Sequence, residues 1–435
     1  SGIYKVEYLS TSRSTTGDAR MNYVEANSNW TQSTSSNYLS AWDISVAKQS
    51  GSSWSWQTGR VYTNVLNMDN PSYGGSSGSD NNSFRTSSGF YGNFKVLTRD
   101  GYVYNVGNNG SQGISFTFMV NNRGFHEVGN KNIASYKSID ASSASTVQNR
   151  YHDPRSADAE AAVTHKIFYN IPDQSMPKEA KGGPVNGNFT WLHPEQQNLE
   201  VADMQVEGVD ATVAQISNKG GYVIFENNSG GDYTITISPN ISDPNYVATM
   251  DFETRVLQGQ SYPGVNRIYF DGKDGVGDYL PQGNIPVEIT IQLQGAEVHF
   301  PYIDMELNHF GIVIELLEGP NYQTALSDKV YWDDSGIGNG GGSNGSKSNP
   351  INASHTAIPL GTSSKTNGHI WGTGSNATAS TFGDNMGMDT WTFIKGESYT
   401  QAFALVNKVA DLSIESIEVD KTEGVYVGDT LTYTV

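Results

Sequence analysis

Trp54 and Trp56, two residues apart, are the side chains of this sequence best suited to recognition chemistry. Alternate residues of a strand point to one face, so both indoles would lie side by side on a sheet surface, within a Ser/Gly-rich context. An aromatic face matches the apolar face of a pyranose ring, so the expected role of the pair is ligand binding by stacking. The remaining tryptophans, Trp30, Trp42, Trp191, Trp332, Trp371 and Trp391, read mostly as ordinary sandwich core.

A second group lies between Gly264 and Gly283, where a strand ending in Phe270 meets Asp271-Gly272, then Asp274, Asp278 and Leu280-Pro281. The spacing predicts a hairpin with a wide, glycine-supported tip, paired through residues 267–270 and 285–293. Asp271, Asp274 and Asp278 could supply hard oxygen ligands to calcium. Their spacing is not that of the helix-flanked calcium loop, and turn aspartates more often cap backbone amides, which is the favoured reading. Asp304 and Glu306 could form a carboxylate pair. A glycosidase, however, needs its two carboxylates about 5 to 10 Å apart on different elements, and charged edge residues are common in sandwiches. His299 and His309 flank a strand and could meet a metal, although lone surface histidines are the commoner case. No serine elbow, phosphate-cradling loop or dinucleotide fingerprint stands in a suitable context.

Composition bounds the class. The 435 residues contain no cysteine, which excludes disulfides, thiolate metal sites and cysteine nucleophiles. The net charge of −19, from 45 acidic and 26 basic residues, has the wrong sign for a nucleic-acid binder. No run approaches 18 apolar residues, so no helical membrane span is expected. Abundant Gly, Ser, Thr and Asn with 24 tyrosines favour strands joined by turns.

The elements expected to position these residues are therefore strands. Residues 3–9, 38–47, 59–66, 90–97 and 113–120 alternate as strands, and 156–165 is the best helix candidate, with Ser156 as its cap. Strands over 199–206, 211–216, 221–226, 232–238, 246–254, 267–270, 285–293 and 309–317 suggest one antiparallel sandwich. Residues 335–349 are low-complexity and expected to form a surface loop, and 176–188 a loop leading into 189–192. The expected class is mainly all-β, tandem antiparallel sandwiches with long loops and one short helix. The expected domains are residues 1–198, 199–325, 326–405, and 406–435 as the opening of a further module. That last segment has strand periodicity but too few strands to stand alone, so the chain reads as the front of a longer one.

The Asp271–Gly283 segment resembles a hairpin of the immunoglobulin-like domain found in flagellar-hook capping proteins, with Phe270 where that pattern has tryptophan. Further segments are His299-Phe-Pro-Tyr-Ile-Asp-Met-Glu with Gly311, Val330-Tyr-Trp-Asp-Asp-Ser335, and Gly383-Asp-Asn through Asp389-Thr-Trp391. With the tail that begins near Val406, they resemble the N-terminal regions of very large repeat-bearing surface proteins of Bacteroidota. That group is exported by the type IX system and includes gliding-motility adhesins. The resemblance implies an extracellular adhesin tip on a Gram-negative cell, without catalytic activity, whose partners are a surface or glycan ligand and further repeats of its own chain. A secreted glycan-active enzyme or carbohydrate-binding module is the rival expectation, and a purely structural filament subunit the second.

Overall fold

The computed structural model describes residues 4, 6–9, 20–23, 44–68, 90–111, 116–141, 144–159, 161–182, 189–305, 308, 310–337, 361–371, 386–408, 418–419, 423–424, 426–427, 430 and 433–434. The fold is mainly β, as composition predicts. Among the described residues its helices are the single turn Ala144–Gln148 and the 3-10 turn Ala248–Met250. Among the described residues of 156–165 no helix forms. Asp158 there accepts the Thr164 amide at 2.9 Å and the Trp191 indole at 2.8 Å, and Lys166–Phe168 is drawn into a sheet. Tertiary pairing has overridden a modest local helix propensity.

Two compact units divide the chain, and both are discontinuous in sequence. The first combines residues 1–198 with 296–394, the second residues 199–295 with 395–435. This corrects the expected boundaries at 325 and 405. The strand predicted at 309–317 exists as Ile312–Leu317, but it pairs with Val103–Asn108, from Ile312↔Asn108 to Leu317↔Val103. Alternation reveals a strand without naming its partner, and here the partner lies some two hundred residues earlier.

In the first unit a six-stranded sheet runs in the order Ala325–Ser327, Ile312–Leu317, Val103–Asn108, Asn93–Leu97, Lys166–Phe168, Tyr62–Thr63. A five-stranded sheet runs Ile139–Asp140, Met386–Met388, Tyr302–Ile303, Phe116–Met119, Val65–Met68. Phe94 of the first sheet stacks on Phe118 of the second at 6.0 Å, and Tyr104 meets Phe300, two residues before Tyr302, edge-on at 5.7 Å; within the second sheet Phe118 stacks on its cross-strand neighbour Tyr302 at 4.5 Å. The opposite face of the six-stranded sheet buries Leu97, Val103, Phe168 and Leu317 against Met176 and Tyr322. The 176–188 segment is not wholly loop, since Glu179–Lys181 pairs with Phe189–Trp191.

The second unit is a sandwich of a different make. Val201–Gly208, Gly221–Asn227 and Gly264–Phe270 form one antiparallel sheet. The other carries Gly231–Pro239 and Arg255–Ser261 beside the strand that starts at Gly283, and Tyr399–Lys408 extends it. Tyr399–Lys408 also takes Gln215–Ser217 in parallel, the one departure from antiparallel pairing among the described strands. Its core is mainly aliphatic: Ile235, Ile237, Ile285, Val287, Ile289, Ile291 and Leu293 alternate inward, with Val223, Phe225 and Phe270 from the facing sheet.

The predicted hairpin is corrected here. Gly264–Phe270 pairs with Gly221–Asn227, whereas the strand beginning at Gly283 pairs with Gly231–Pro239 and Tyr399–Lys408. Residues 271–282 therefore cross from one sheet to the other. The turn residues were legible as a turn, but a turn between sheets carries the same Asp-Gly signature as one within a hairpin. In the tail, Glu418–Val419 pairs with Tyr433–Thr434. The proposed low-complexity loop lies outside the described residues from 338 onward.

Candidate functional site

Trp54 and Trp56 stand on the strand Ser53–Trp56, which pairs with Ala47–Ser50 in the register Gln49↔Trp54 and Ala47↔Trp56. Gly51, at φ 62°, makes the tight turn between the two strands. Both indoles are open to solvent, Trp54 at 63% and Trp56 at 72% exposure. Trp56 also lines a depression of about 690 Å³ together with Gln57, Thr58, Tyr169 and Asn170. The arrangement is an aromatic surface beside amide and hydroxyl groups, which suits stacking plus hydrogen bonding to a polar ring.

Trp332, Trp371 and Trp391 take the opposite fate and are fully buried, as the core reading expects. Trp30 and Trp42 lie outside the described residues.

Of Asp271, Asp274 and Asp278, the first two carboxylates serve as caps of the backbone. Asp274 Oδ1 accepts the amides of Val276, Gly277 and Asp278 at 2.9 to 3.0 Å, and Oδ2 accepts that of Glu253 at 3.3 Å. Burial alone would raise this carboxyl, but the four amides outweigh it and hold it below the usual carboxylate range. Asp271 caps the Lys273 amide and pairs with Arg255 at 3.2 Å. The Asp271 and Asp274 carboxylates are thus engaged by the chain itself, in the manner of turn caps. Among the described residues, no three His, Asp or Glu side chains are grouped to hold a metal ion.

Of the Asp304–Glu306 pair only Asp304 is described; Glu306 and His309 lie outside the described residues. His299 is not a surface histidine, and this corrects the expectation. It is fully buried, with Nδ1 2.8 Å from Asp389 Oδ2 and Nε2 2.9 Å from Glu297 Oε1. Burial opposes its charge, but Asp389 and Glu297 together prevail and lift its pKa to about 9. Trp391 stacks on the ring at 5.7 Å and Tyr136 tilts against it at 5.6 Å. Gly124 closes over the pair. A Cβ there would stand 2.1 Å from Asp389 Oδ2 and 2.5 Å from His299 Nδ1, so glycine is required.

A second buried histidine repeats the theme. His369 reaches Thr390 Oγ1 at 2.8 Å and Asp334 Oδ2 at 2.9 Å, and lies flat on Trp332 at 4.7 Å with Trp371 edge-on at 5.0 Å. A third, His165, is buried with its Nδ1 accepting the Arg99 amide at 3.2 Å. Burial, with Lys166 and the His299 charge nearby, pushes its pKa down to about 3. The segments around His299, Trp332 and Trp391, far apart in sequence, thus converge on one polar-aromatic core.

This core has the residue types of an acid–base site and is closed to solvent. Both nitrogens of His299 are taken by carboxylates, and His299, Asp389 and His369 are all 0% exposed. Its contacts tie residues 297–299, 332–334, 369–371 and 389–391 together within the first unit. Sequence reasoning had the segments, but nothing local says that a histidine will pair with an aspartate 90 positions later. No family model matches the chain, and no curated protein matches it.

Proposed function

We propose that the chain is an attachment module of a bacterial surface protein, non-catalytic, which binds glycan or a comparable polar surface through Trp54 and Trp56. The observation that carries this reading is the exposure of two large indoles on one short hairpin, beside the depression lined by Trp56, Tyr169 and Asn170. Leaving two tryptophans in water is unfavourable for the free protein, and exposed aromatics of this kind are common binding anchors. An extracellular location on a Gram-negative cell, export by the type IX route and a place at the tip of a repeat-built filament rest on the sequence resemblance alone.

The test is glycan-array binding and surface adhesion of the full chain, compared with the Trp54→Ala/Trp56→Ala variant. The variant should lose at least about 10-fold in affinity, the effect of removing a buried aromatic anchor. Equal binding by both proteins would remove the pair from the site. Absence of any glycan or surface binding by the native chain would overturn the attachment reading itself.

A further inference from the structure

Across three adjacent strands of the six-stranded sheet, Lys95, Asn105 and Glu315 lie directly opposite one another, in the registers Lys95↔Asn105 and Asn105↔Glu315. Lys95 Nζ is 2.5 Å from Asn105 Oδ1, and Asn105 Nδ2 donates to Glu315 Oε2 at 2.9 Å. Glu315 Oε1 is held in turn by Lys365 at 2.5 Å. We propose that this triad joins Lys95 to Asn105 through an intramolecular amide bond, with Glu315 carrying the proton.

Three features support the reaction. The first is proximity. The Asn105 carbonyl carbon lies one C=O bond beyond Oδ1, within about 3.7 Å of the amine, close to attack distance. Opposite residues on neighbouring strands also keep this approach without loop motion. The second is environment. One step along the same strands and on the same face, Leu97, Val103 and Leu317 are buried, so the polar row borders an apolar layer. Burial draws the Lys95 ammonium below its usual basicity, against the opposing pull of Glu315, which favours the nucleophilic amine. The third is the position of Glu315, whose carboxylate already touches the nitrogen that must leave.

The chemistry balances without any added reagent. Lys95 gives a proton to Glu315, and the free amine attacks Asn105 Cγ to form a tetrahedral intermediate. Glu315 returns the proton to Nδ2, the Cγ–Nδ2 bond breaks, and ammonia departs. The attacking nitrogen loses its second proton to that ammonia. The products are a Lys–NH–CO–Asn-derived amide and one ammonium ion, and nothing is oxidised or reduced. A plain hydrogen-bond ladder has the same strands and the same donors but leaves both side chains intact.

Mass spectrometry of the full chain separates the two. The native protein should be one ammonia lighter than its sequence, and its tryptic map should contain a branched peptide joining residues 86–99 to 100–123. Lys95→Arg should show the full sequence mass. So should Glu315→Gln, which keeps the side-chain shape but cannot carry the proton. If Glu315→Gln does not fold, the branched peptide of the native chain decides alone. A native protein at full sequence mass overturns the proposal. So does an ammonia loss that persists in Lys95→Arg, which would place the chemistry at another asparagine.

Discussion

Asp274 in the second unit and Asp389 in the first are both buried carboxylates, yet they are satisfied in opposite ways. Asp274 is bound by amides of its own turn and of Glu253, so removing its side chain disturbs a local loop. Asp389 is bound by His299 across the fold, and its backbone amide donates to Ser138 at 3.0 Å. A carboxylate held by backbone dipoles carries its charge with neutral partners, whereas one held by a buried cation shares an obligate ion pair. The difference predicts how each region fails.

The largest effect is expected at Asp389. Asp389→Ala leaves the His299 cation buried with only Glu297 opposite it, and breaking such a pair costs about 3 to 5 kcal/mol. Chemical denaturation should show the first unit losing stability by that amount, with the second unit's transition unmoved. A loss under 1 kcal/mol would mean that the pair contributes nothing net to the fold.

A pH titration sharpens the same contrast. The pKa of His299 is raised from 6.5 to about 9 by folding, so its contribution is fully present below pH 6.5 and is lost as pH rises through 9. The full shift corresponds to about 3 kcal/mol. Lys166, caged between Tyr62 at 4.6 Å and Trp191 at 4.0 Å, works the other way. Burial lowers its pKa to about 8, so stability is regained between pH 8 and its ordinary value. The clean window is therefore pH 6.5 to 8, where unfolding free energy should decline and where His299→Gln should flatten the decline. On the acid side the depressed pKa of His165, about 3 when folded, makes stability fall as pH drops below 6.5. An optimum near neutrality with two histidine limbs is the expected profile. A curve flat from pH 6 to 8 would remove the charged state of His299.

These cases also mark what was legible. Asp274 could be read as a cap because every partner but Glu253 lies within four residues, and the turn residues fix the geometry locally. All-β architecture was readable because alternation and turn composition are local too. The pairing of Gly264–Phe270 was not, because the same turn serves a hairpin or a crossing between sheets. Nor were the unit boundaries, since Ile312–Leu317 looks identical whichever sheet receives it. His299 was misread for the same reason: a histidine at a strand end is polar by type, and only its distant partner makes burial tolerable.

Asp274→Ala should cost less than Asp389→Ala, about 2 kcal/mol, because the freed amides can partly turn to water at a loop edge. Asp274→Asn should recover part of this, since an amide oxygen still accepts two of the bonds. Differential scanning calorimetry with separate assignment of the two units would check both. Equal losses at Asp274 and Asp389 would erase the distinction between a dipole-held and a cation-held carboxylate.

The smallest expected effect is at Trp54 and Trp56, and its smallness is the informative part. At 63% and 72% exposure these rings have little to lose on truncation, so the double alanine variant should stay within about 0.5 kcal/mol of the native protein. Trp332, Trp371 and Trp391 supply the contrast. Each is fully buried, and each alanine replacement should cost about 3 to 5 kcal/mol through cavity formation. Thermal denaturation of the four variants ranks them directly. A destabilisation above about 2 kcal/mol in the Trp54/Trp56 variant would mean that the indoles are packed in solution, and adhesion lost in that variant would then report unfolding rather than a missing contact. An unchanged melting curve makes any loss of binding a property of the aromatic surface alone.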